Sequence, residues 1–65
     1  MEKTEFSGFR IRLGKTQKQL AGLLGMSIKA IRSYEQGRRK IPSHIERNLI
    51  FLVINQRKTQ NQLAP

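Results

Sequence analysis

The sequence predicts an all-α fold: a small bundle of four or five helices, built around a central helical pair, with its longest helix last. Three observations predict it. Residues 16–37, TQKQLAGLLGMSIKAIRSYEQG, contain two short amphipathic segments, 17–24 and 28–36, parted by Gly25-Met26-Ser27. Before them Phe6, Phe9 and Leu13 recur at helical spacing and stop at Gly14. After Pro42, Ser43-His44-Ile45-Glu46 has the form of a capping box and opens an apolar stretch.

Taken in order, residues 1–3 are expected to fray, and Thr4 is placed to cap a first helix over 4–13. Gly8 inside it weakens the helix by about 1 kcal/mol relative to alanine, so tertiary packing must hold it. Arg10 falls on the same side as Phe6 and Leu13. A guanidinium there needs a partner. The second helix, 17–24, starts at Thr16, whose hydroxyl can cap it while Gln19 reaches back to the Thr16 amide. Leu20, Ala21 and Leu24 share its inner face. Gly25 suits a left-handed helix end, and Ser27 is a fresh cap for the third helix, 28–36. There Ala30, Ile31 and Tyr34 point one way, whereas Ile28, Lys29, Arg32, Ser33 and Gln36 occupy the other side. The small Ala21 lets the two helices approach closely.

The basic run Arg38-Arg39-Lys40 follows Gly37. The last helix is expected over 43–57, with Ile45, Leu49, Leu52 and Val53 on one face and Ile50, Phe51 and Ile54 on the opposite one. A helix that is apolar all round is buried all round, so the second face needs a partner. In so small a domain, the same helix of another copy is expected to supply it. Residues 58–65, KTQNQLAP, read as a polar, disordered tail beyond a domain of residues 1–57.

Sixty-five residues make one domain, and a chain this short buries only about 60% of the surface its unfolded form exposes. Cysteine is absent and the single histidine is His44, so neither disulfides nor a metal are expected to supplement the core. Thirteen Lys and Arg against four Asp and Glu leave a formal charge of +9. Such a surplus repels itself unless a polyanion relieves it, and nucleic acid is the expected polyanion. No catalytic constellation can be assembled from these residues, so neither an enzyme nor a cofactor or small-molecule substrate is expected. The apolar run 49–54 is too short to cross a bilayer, and the opening Met-Glu-Lys-Thr lacks a signal-peptide core. Hence a cytoplasmic protein is expected.

The mid-helix Ala21, the glycine turn at Gly25 and the aliphatic Ile31 resemble the helix-turn-helix of phage repressors and Cro, the XRE family, over residues 6–54. The resemblance implies a lambda-repressor-like fold with its central helix-turn-helix, and an ion pair, at least partly buried, between Arg10 and Glu35. Lys15 departs from the pattern, which usually has an apolar residue before the capping Thr. That leaves either a looser entry to the second helix or an approach of Lys15 to the DNA backbone.

In this family the second helix of the pair enters the major groove of double-stranded DNA, its first residues against base edges. Ser27, Ile28, Lys29 and Ser33 match the base-reading positions, and Arg32 stands on the same outer face. Lys29 or Arg32 could donate to guanine O6 and N7, and Ile28 could pack on a thymine methyl. Thr16, Gln17, Gln36, Arg38, Arg39, Lys40 and Ser43 match or neighbour the backbone contacts, while Tyr34 belongs to the core. The implied function is a transcriptional regulator, a repressor bound as a homodimer to a palindromic operator, on the nucleoid of a prokaryotic cell or phage-infected host. The alternative is an antitoxin-type DNA-binding protein whose Ile50, Phe51 and Ile54 face holds a toxin or another regulator. Single-stranded nucleic acid fits less well, because it wants exposed aromatics for stacking.

Overall fold

The computed structural model describes the backbone of residues 1–63 and the side chains of residues 1–56. Among the described residues there are four helices, not five: α1 Lys3–Arg12, α2 Gln17–Leu24, α3 Ile28–Gln36 and α4 Ser43–Leu63. Among the described residues there is no strand.

Local chemistry sets most of the boundaries. At α2 the Thr16 hydroxyl accepts from the Gln19 amide at 3.1 Å, and the Gln19 side chain accepts from the Thr16 amide at 2.9 Å. Ser27 Oγ accepts from the Ala30 amide at 3.1 Å at the start of α3. Gly25 closes α2 at φ 67°, which a Cβ would strain, and the Met26 amide then reaches the Ala21 carbonyl at 2.8 Å. Gly37 closes α3 in the same way at φ 76°.

Two caps differ from the sequence expectation. Glu2, not Thr4, caps α1, and the Glu5 side chain accepts from the Glu2 amide at 3.0 Å. Three residues after Thr4 stands Ser7, whose side chain is too short to reach back, so the glutamate box two residues earlier prevails. At α4 the Pro42 carbonyl accepts from the Ile45 and Glu46 amides at 3.1 and 3.0 Å. Ser43 is therefore already helical, and Glu46 turns instead to the Met1 amino group, 3.3 Å away.

Helix α4 also continues past Arg57 to Leu63, through most of the stretch expected to be disordered. Polarity alone does not end a helix, and neither Gly nor Pro interrupts the sequence between Pro42 and Pro65. The last two residues of that stretch, 64–65, lie outside those described.

The core is formed by Phe6 and Leu13 from α1 and its end, Leu20 and Ala21 from α2, Ala30, Ile31 and Tyr34 from α3, and Ile45, Leu49 and Val53 from α4. Phe6, Leu20, Ile31 and Leu49 are fully enclosed, and the Phe6 and Tyr34 rings meet at 5.6 Å and 57°. Phe9, Leu24 and Leu52 are only partly covered. On α4, Phe51 is 63% exposed and Ile54 50%, so within one chain the far side of this helix is not buried.

Replacing Gly8, which sits in mid-helix with nothing within 4 Å of a new Cβ, by alanine is expected to raise stability by about 1 kcal/mol. Gly25→Ala is expected to lower it by about 1–2 kcal/mol, because alanine resists positive φ. Urea titrations followed by helical circular dichroism measure both.

Candidate nucleic-acid interface

What holds α3 in place is a fork. Arg10 Nε donates to Glu35 Oε2 at 2.6 Å and Nη2 to Glu35 Oε1 at 3.1 Å, a bidentate pair whose side chains are 19% and 10% exposed. The third nitrogen, Nη1, donates to the Lys15 carbonyl at 3.0 Å. One guanidinium therefore joins α1, the chain entering α2, and the end of α3. The bond to the Lys15 carbonyl ties down the backbone just before Thr16, at the position where the family pattern has an apolar staple and this chain has Lys15. Lys15 itself lines a shallow groove with Leu13, Leu23, Leu52 and Gln56, against α4.

Burial pushes the Glu35 carboxyl up, but hydrogen bonds from Arg10, then Gln17 and Ser7, and the Arg10 charge outweigh it and hold the group below its ordinary 4.5. At neutral pH the pair is ionised.

The two sides of α3 differ sharply. Ala30, Ile31 and Tyr34 are buried, whereas Lys29, Arg32 and Gln36 are exposed and Ile28 and Ser33 half-buried. Ile28 packs part of its side chain on the core and leaves the rest outward. The two serines are no longer equivalent. Ser27 Oγ is already an acceptor for the Ala30 amide and keeps its O–H to donate, while the Ser33 O–H donates to the Lys29 carbonyl at 2.9 Å and leaves that side chain only its lone pairs to accept.

Two clusters flank this face. At the start of α2, Thr16 is exposed and Gln17 half-buried, with the Gln17 amide donating to Glu35 Oε1 at 3.3 Å and accepting from Arg32 Nε at 3.4 Å. At the end of α3 and beyond it, Gln36, Arg38, Arg39, Lys40 and Ser43 are all exposed. Arg39 and Lys40 line a groove with Tyr34 and Lys3, whose aliphatic stem crosses Gly37 closely enough that a Cβ there would meet it at 3.0 Å. Sequence reasoning missed Lys3, since it left residues 1–3 frayed. Only the packing of α1 on α3 brings that cation beside the basic run.

A family model described as helix-turn-helix matches residues 9–46, which take in all of α2 and α3 with the turn between them. The chain belongs to the helix-turn-helix family, in its XRE branch. Neither the curated proteins nor the solved structures contain a match to it. As a helix-turn-helix domain it is a DNA-binding transcription regulator whose target is double-stranded DNA. Among the described residues, no helix of the domain is long and apolar enough to cross a membrane.

Arg10→Ala is expected to destabilise the domain by about 3–5 kcal/mol, because Glu35 is left charged and under-paired. That is a large share of the total at about 0.1 kcal/mol per residue. The lowered pKa of Glu35 also sets an acid limit: its contribution is complete above about pH 4.5 and disappears as pH falls through the folded value. Thermal melts from pH 7 to pH 3 should show a steeper acid loss for the parent than for Arg10→Ala. Parallel curves would assign the acid sensitivity elsewhere.

Proposed function

We propose that this domain is a sequence-specific repressor that binds a palindromic operator as a homodimer, with α3 lying in the major groove. The observation that carries the reading is the free outer side of α3, held rigidly from behind by Ala21, Ile31 and the Arg10 fork. Ser27, Ile28, Lys29, Arg32 and Ser33 read base edges. Lys29 or Arg32 donates to guanine, Ile28 covers a thymine methyl, Ser27 meets an acceptor and Ser33 a donor. Thr16 and Gln17 on one side of α3, and Gln36, Arg38, Arg39, Lys40 and Ser43 on the other, grip backbone phosphates and set register and salt dependence.

The homodimer uses Ile50, Phe51 and Ile54 of α4, the exposed apolar face of the last helix. Each chain carries +9, which opposes association in free solution and ceases to do so once phosphates neutralise it. Pairing is thus tighter on DNA than off it. Two recognition helices about 34 Å apart then meet successive major grooves on one side of the duplex, and occupancy blocks polymerase. An antitoxin-type role would turn the same α4 face toward a toxin.

Selection from random duplex DNA is expected to return a palindrome. Lys29→Ala should alter its consensus, whereas Arg38→Ala should weaken every sequence alike and reduce the salt slope by about 1. A consensus without two-fold symmetry would sink the dimer. Phe51→Glu is expected to leave the fold intact and convert binding of whole operators to half-sites, read by sedimentation of the DNA complex. Whole-site binding retained by Phe51→Glu would free this face for a different partner.

A further inference from the structure

Gln17 touches both the enclosed ion pair and the outer face of α3. Glu35, ionised and engaged by Arg10 through both oxygens, can only accept hydrogen bonds. The Gln17 amide must therefore turn its NH2 toward Glu35, where the distance is 3.3 Å. This fixes the other end: Gln17 Oε1 faces α3, where only a donor can pair with it, and Arg32 Nε is that donor at 3.4 Å. Both bonds are long, so the tether orients Arg32 without locking it. Holding the guanidinium by Nε leaves both Nη groups free, the edge that a guanine O6 and N7 pair would engage.

We propose that Gln17 is a positioning residue for base reading, setting through the relay Arg10, Glu35, Gln17 and Arg32 which base pair the Arg32 guanidinium prefers. This gives Gln17 a second role besides its phosphate contact, and it rests on the reading of Arg32 as a base-edge residue. The relay transmits orientation, because each link is a directional bond with one permitted polarity. An unanchored arginine at this exposed position would sample many rotamers and meet phosphates and bases alike. The Gln17 carbonyl narrows that choice.

The experiment is a double-mutant cycle read as base preference. Parent, Arg32→Ala, Gln17→Leu and the double variant are titrated against the selected operator and against operators substituted at each position, with Gln17→Ala as a second variant should Gln17→Leu fold poorly. Arg32→Ala is expected to lower the preference at one base pair of each half-site by on the order of ten- to a hundredfold. Gln17→Leu is expected to lower that same preference at least about threefold, to leave the ratios at other positions alone, and to do nothing further to it when Arg32 is already alanine. Overall affinity is not the readout, since losing a phosphate contact lowers it for every sequence. If Arg32→Ala flattens one position and Gln17→Leu leaves that ratio intact, or the two effects add, the relay is wrong while Arg32 remains a reader. If Arg32→Ala changes no ratio, both the base-reading of Arg32 and the role of Gln17 fall.

Discussion

Three segments of this chain converge on one guanidinium. Arg10 grips both oxygens of Glu35 and the Lys15 carbonyl, so α1, the entry to α2 and the end of α3 are located by the same planar group. Taking a charge out of water is costly, and the pair offsets that cost because its geometry is bidentate and the third guanidinium nitrogen also has an acceptor. No buried side-chain nitrogen or oxygen among the described residues lacks a partner. The result is directional as well as cohesive. Apolar contacts among Phe6, Leu20, Ile31 and Leu49 draw the helices together, and the directional bonds of the fork add a rotational constraint at the end of α3.

That rotational constraint links the core to recognition. If α3 turned about its axis, Lys29 and Arg32 would move off the outer side and Tyr34 would leave its place against Phe6. The helix presents its polar side reliably because Ala21 permits close approach, Ile31 fills the space behind, and Glu35 anchors the far end. Gln17 extends the anchorage outward to Arg32, so the same hydrogen-bonded chain runs from the protected interior to the solvent-facing surface.

Charge and hydrophobicity pull in opposite directions on the remaining surfaces. The surplus of +9 favours a polyanion and opposes crowding of like chains, whereas the exposed Ile50, Phe51 and Ile54 favour crowding. In the dimeric binding proposed above, a duplex resolves the conflict by neutralising the first while bringing copies together for the second. Lys3 joins Arg39 and Lys40 of the basic run beside the end of α3, which places positive charge next to the exposed side of that helix.

Features written in neighbouring residues were legible. The Thr16 and Gln19 box, the Ser27 cap and the glycine ends at Gly25 and Gly37 act within one helical turn, so their residue types alone determine where α2 and α3 begin and stop. Where two local solutions compete, residue types were insufficient. Glu2 displaced Thr4, the Pro42 carbonyl displaced the Ser43 box, and a polar stretch remained helical because nothing in it breaks a helix. Arg10 and Glu35 stand 25 residues apart, and no spacing rule joins them; only resemblance suggested the pair. The Gln17 bridge to Arg32 and the approach of Lys3 to Gly37 were illegible, since each depends on how two helices cross. By itself the sequence determined the helices, their polar and apolar sides and the basic charge, because these follow from bonds and periodicities a few residues long. Tertiary structure alone decided which side chains are tied and which are free, because distance between elements is set by packing of the whole chain.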